Sequence, residues 1–143
     1  MLEEIISLYV AYLEEFYQLE RKRKPMEGAF GFGGGPKNYP CHDRFAGDLE
    51  QLLQRFAAQS PSSAEAGEAL HYIYFTAPER WKAEPSVYWM LMAVHSLTMD
   101  LIRLTEPSEA APLYDAYQSA YPRRSRLPAQ DKLLALLKKR AKA

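Results

Sequence analysis

A single cysteine, Cys41, leaves the 143-residue chain without an intrachain disulfide or a Cys-rich zinc site. That usage fits a reducing, cytoplasmic setting. Net charge is also missing, since 18 Lys and Arg balance 18 Asp and Glu. A uniformly basic nucleic-acid binder is therefore excluded. The start of the chain carries Glu3 and Glu4 where a signal peptide carries cations. No long apolar run is free of charge either. The most hydrophobic stretch, 87–104, contains His95, Asp100 and Arg103. An Asp or Arg near the middle of a membrane span costs about 2.5–3.5 kcal/mol, so this stretch is expected to be a buried helix of a bundle, with no membrane span.

Glycine is scarce outside one segment. Of seven glycines, five fall in "GAFGFGGG", 28–35. The segment does not meet the phosphate-binding pattern G-x-x-x-x-G-K-[ST], because Pro36 precedes Lys37 and Asn38 follows it. A charged helix end, not a strand, comes before it, which also excludes a dinucleotide fingerprint. The expectation is a flexible loop over 28–38 joining two helices.

What the chain does have is helical spacing cut by ten prolines. Leu2, Ile6, Tyr9, Leu13 and Phe16 recur three and four apart, and "RKRK" precedes Pro25. Pro40 suits a first helical position, and Cys41, Phe45, Leu49, Leu52, Leu53 and Phe56 then share a face. Ser62 with Glu65 is a capping-box pattern, opening a helix that Pro78 is expected to end. Pro85 begins a long apolar helix limited by Pro107. Tyr114, Tyr117 and Tyr121 line the next helix, and "LPAQDKLLALLKKRAKA" closes as a basic amphipathic one. No period-two alternation is sustained.

The fold class is therefore all-α: a single domain over 1–143, a bundle of five or six helices with a buried central helix at about 86–105. The predicted core is Ile6, Leu13, Phe16, Phe45, Leu49, Leu52, Ile73, Met92, Leu97, Leu101 and Leu133.

Three residues carry possible chemistry. Cys41 near a helix N-terminus is a nucleophile candidate, because the positive dipole end favours thiolate. His42 is adjacent, but neighbouring helical positions point about 100° apart, so a base would come from elsewhere, such as His71 or His95. The competing reading makes Cys41 a small buried hydrophobe and His95 a core histidine with a hydrogen-bond partner. The three histidines fall on three helices, yet no H-x-x-x-H or E-x-x-H pair fixes two ligands on one face. No metal and no cofactor are predicted, and no catalytic motif is complete.

Charge is unevenly placed. Residues 123–143 hold eight Lys and Arg against one Asp, while 1–122 hold ten against seventeen. That basic C-terminal segment admits nucleic acid as a partner, but packing of its leucines on the bundle is the simpler expectation. The leading functional expectation is a non-enzymatic interaction module, binding a protein partner or itself through aromatic and C-terminal-helix surface. The alternative is a small-molecule-binding protein or enzyme with a pocket near Cys41, His42 and His95 under the Gly-rich loop.

Overall fold

The computed structural model describes residues 2–22, 40–81 and 85–143. The Gly-rich stretch 28–38 lies outside the described residues. Within them the chain forms six helical units and no strand, an all-α bundle. None of these helices is long and apolar enough to cross a membrane.

Helix α1 (Leu2–Lys22) buries Ile5, Tyr9, Leu13 and Phe16, with Glu3 and Glu4 in its first turn and Arg21 and Lys22 in its last. Those charges complement the helix dipole. Ile6, expected in the core, is only partly buried. It lies about 100° around the helix from Ile5, and Ile5 is the residue in phase with Tyr9 and Leu13. Helix α2 (Pro40–Ala58) runs antiparallel to α1. Phe45 meets Tyr9 edge to face at 5.1 Å, Tyr12 donates to Asp48, and Arg44 donates to Glu15 at 2.7 Å.

Helix α3 starts on Ser62, whose hydroxyl accepts the Glu65 N–H while the Glu65 carboxylate accepts the Ser62 N–H. It is α-helical over Ser63–His71, π-helical over Tyr72–Thr76 and α-helical again over Ala77–Arg80. The expected stop at Pro78 does not occur. Widening to π geometry carries the helix through the proline, with the Ala77 N–H reaching back to the Tyr72 carbonyl.

The central helix α4 spans Pro85–Ala93 and Met99–Leu104, joined by a 3₁₀ stretch over Val94–Thr98. Three residues per turn instead of 3.6 changes which side faces inward. Val94, His95 and Thr98 are buried there, and Leu97, expected in the core, is only partly so. Helix α5 (Pro107–Ala120) is tied to the start of α3 by the Glu106 N–H, which donates to Ser63 Oγ at 2.7 Å.

A 3₁₀ turn at Arg123–Ser125 leads to α6 (Pro128–Ala141), which packs along α5 and across α4. Leu133, Leu134 and Leu137 are buried while Lys132, Lys138 and Lys139 are exposed. Near its end, Arg140 donates from Nε (2.9 Å) and Nη2 (2.5 Å) to the Thr105 carbonyl. The C-terminal leucines thus dock on the chain's own bundle.

Two local features yield stability predictions. Ser60 follows α2 with φ 51°, a left-handed conformation that costs a side-chain-bearing residue about 1–2 kcal/mol. Ser60 is exposed, so Ser60→Gly should stabilise the fold by about 0.5–1 kcal/mol after glycine's own entropy cost. Ser62→Ala should destabilise it by about 0.5–2 kcal/mol through loss of the cap. Urea denaturation of both variants measures these opposite shifts.

Candidate functional site

His95 is fully buried where α3, α4 and α5 meet, and its ring is enclosed by aromatic side chains. Tyr74, Tyr121 and Tyr117 surround it at centroid distances of 5.0, 5.3 and 5.6 Å, all close to edge-to-face. Tyr117 and Tyr121 are themselves 4.5 Å apart. Such geometry lets the positive ring edge meet the negative face of a neighbour.

The hydrogen bonds through this cluster have one consistent set of proton positions. The Leu127 N–H donates to Gln130 Oε1 at 2.9 Å, which fixes the Gln130 amide. Gln130 Nε2 then donates to Tyr117 Oη at 2.6 Å. The Tyr117 hydroxyl proton is left for His95 Nδ1, 2.9 Å away. This assignment goes with the His95 tautomer that carries its proton on Nε2. That nitrogen is buried without a hydrogen bond of normal geometry, although the Ile73 carbonyl acts on the ring in the direction that favours protonation. In parallel, Tyr74 Oη donates to Thr98 Oγ1, because Thr98 gives its own proton to the His95 carbonyl at 2.6 Å. Tyr121 Oη donates to the Tyr74 carbonyl.

Removal from water dominates the electrostatics. Burial drives the His95 pKa down to about 3, against the smaller opposing effect of the Ile73 carbonyl. Burial likewise raises the hydroxyl pKa values of Tyr74, Tyr117 and Tyr121. All four groups are neutral at neutral pH. The arrangement aligns dipoles and braces three helices, and it holds its protons in place.

Cys41 and His42 sit elsewhere. Cys41 is buried on the α2 face beside Phe45, and its thiol pKa is raised, first by desolvation and then by Glu15. Arg44 and nearby backbone N–H groups oppose this and do not overcome it. His42 has both ring nitrogens shielded and without a hydrogen bond, with Asp43 Oδ1 3.7 Å from Nδ1. Among the described residues, neither Cys41 nor His42 makes a hydrogen bond, ion pair or ring contact with His95. His71 is exposed on α3, its Nδ1 3.5 Å from Thr76 Oγ1. No group of three or more His, Cys, Asp or Glu within the described residues has metal-binding geometry.

Aromatic side chains of α3, α4 and α5 form both core and surface. Tyr74, Phe75, Pro78, Tyr88 and Tyr121 line an open cleft of about 630 Å³, together with Glu79 and Ala120. Tyr88 stacks on Tyr121, which connects the cleft wall to the buried cluster. Trp89, next to Tyr88, is 45% exposed. Gln130 and Thr98 escaped the sequence reading. The signal for Gln130 was a polar residue one helical turn before Leu133 on the buried face of α6. Thr98 had none, because its burial depends on the 3₁₀ stretch. Comparison with protein-family models, with curated proteins and with solved structures found no match to the chain.

The sign of the pH dependence follows from the His95 shift. In the unfolded chain a histidine titrates near about pH 6.5, and in the folded protein His95 titrates near pH 3. Between these values the unfolded state binds a proton that the folded state excludes. Stability is therefore full above the unfolded value and falls as pH drops through that window, by about 1.4 kcal/mol per unit. His95→Leu should lower stability at about pH 7 and flatten the dependence between about pH 6.5 and 5. Denaturation curves at several pH values compare the two slopes.

Proposed function

We propose that the chain is a non-enzymatic helical interaction module that binds a protein partner, or a second copy of itself, through its aromatic surface. The cleft lined by Tyr74, Phe75, Pro78, Tyr88 and Tyr121 carries this reading. Its walls belong to α3, α4 and α5, so its shape is held by the same hydroxyl network that braces the bundle. A cleft of this kind accepts an apolar or aromatic side chain as an anchor, and tyrosine walls offer large contact area at low entropy cost. Trp89, the next residue after Tyr88, adds exposed aromatic surface of its own on α4. The C-terminal helix contributes its exposed basic face, since its leucines are buried.

The shifts at the sequence-predicted site residues support a binding role over catalysis. The Cys41 thiol is pushed up, and the His95 imidazole is pushed far below neutrality. General acid–base or thiolate chemistry favours the opposite, a group titrating close to the working pH. For the small-molecule alternative, the observation in favour is His42, whose shielded ring nitrogens have no hydrogen bond among the described residues.

The test pairs selection of cleft-binding peptides from a displayed library with sedimentation of the protein over a wide concentration range. Wild-type protein should bind an aromatic-anchored peptide or self-associate. Phe75→Ala/Tyr88→Ala should abolish that binding while the helical circular-dichroism spectrum is retained. Selected peptides indifferent to the double substitution, with a monomer at every concentration, would sink the proposal.

A further inference from the structure

A second groove, about 470 Å³, lies between α1 and the end of α3, lined by Glu14, Tyr17, Gln18, Arg21, Arg80 and Trp81. Tyr17 and Trp81 face each other with ring centroids 6.3 Å apart and planes tilted by 56°. Each ring carries a guanidinium: Arg21 lies 4.7 Å from the Tyr17 centroid and Arg80 lies 5.3 Å from that of Trp81. Stacking on a ring holds a guanidinium in place while leaving its N–H edge available for in-plane hydrogen bonds. Among the described residues, neither arginine has a carboxylate within ion-pair range or a hydrogen bond. Glu14, although it lines the groove, does not engage them.

A second observation points at the same place. Trp81 Nε1 is shielded from solvent and has no acceptor among the described residues. A buried donor of this kind is uncommon in a folded protein, since burial removes its water without supplying a replacement. The antiparallel register of α1 and α2, with Tyr12 against Asp48 and Glu15 against Arg44, places His42 level with Tyr17 and Gln18. Its ring, without a hydrogen bond among the described residues, therefore belongs to the same end of the bundle.

Two guanidiniums and a shielded indole N–H thus form a set of donors without acceptors among the described residues. The tilt between the rings leaves no parallel slot for a flat group, so the complement is an anion approaching the N–H edges. Two fixed positive charges match the charge of a phosphate group at neutral pH, close to −2. We propose that this groove binds a phosphate-bearing ligand, with Arg21 and Arg80 on the phosphate oxygens and Trp81 Nε1 donating to a further acceptor. The site is separate from the aromatic cleft and does not depend on the interaction reading.

The experiment uses the two indole N–H signals of ¹⁵N-labelled protein, with Trp89→Phe identifying that of Trp81. Inorganic phosphate is titrated at neutral pH against chloride of equal ionic strength. The expected result is a saturable shift of the Trp81 indole signal with phosphate and not with chloride. Arg21→Gln and Arg80→Gln should each weaken that binding about tenfold, the loss of one charged hydrogen bond. Both arginines are exposed, so the Trp89 signal should stay in place and report an intact fold. A Trp81 signal that does not move, moves equally with chloride, or responds in the arginine variants as it does in the wild type overturns the proposal.

Discussion

Pro78 lies inside α3, and it has no N–H to return to the carbonyl four residues back, on Tyr74, or five back, on Ile73. Both residues are buried, so water does not replace the missing donor. The rest of the bundle supplies it. Tyr121, at the end of α5, donates to the Tyr74 carbonyl, and the His95 ring comes under the influence of the Ile73 carbonyl. Once Tyr121 is fixed, Tyr117 lies one turn before it and against His95. Gln130 of α6 then completes the hydroxyl of Tyr117. A backbone deficit in one helix thus sets the relative placement of three others.

The price of this arrangement is chemical silence at its centre. A histidine with an ordinary pKa would switch charge near neutrality, yet His95 has been taken far from that range by enclosure among rings. Cys41, on α2, follows the same physics. A helix N-terminus favours a negative charge by about 0.3–1 kcal/mol at an exposed position, and nearby backbone N–H groups do lower the thiol pKa. Desolvation, with Glu15 adding to it, is the larger effect. In both cases burial decides the outcome over the local feature that the sequence advertised.

What was legible in the sequence was periodic. The core faces of α1 and α2, the Ser62 capping box and the docking of Leu133 and Leu137 follow from three-four spacing and cap chemistry, which are local. The departures arise where hydrogen-bond register changes. A π-helical stretch carried α3 past Pro78, and a 3₁₀ stretch turned Leu97 partly outward and Thr98 inward. Neither change has a signature in hydrophobic spacing, because each answers a demand from another helix. The burial of His95 was open to inference from the apolar stretch around it. Its partners Tyr117 and Gln130 depended on how α5 and α6 cross α4. The pairing of Arg21 with Tyr17 lies within one helical turn, but Trp81 reaches them only through the fold.

The π-helical stretch at Tyr72–Thr76 has a consequence for how this chain tolerates change in length. Bonding to the fifth residue back accommodates one residue more than bonding to the fourth. Loss of one residue there restores a regular helix and, by local criteria, improves it. Because the wide turn already absorbs that residue, the helix on either side of such a deletion keeps its facing. What changes is the turn itself, where Ile73 and Tyr74 hold out to His95 and Tyr121 the carbonyls that Pro78 leaves without a helical donor. A deletion that regularises the helix therefore costs the contacts made at the wide turn and not the phase of its flanks, and a single-residue insertion elsewhere in α3 is no substitute, because the wide turn has to coincide with the proline.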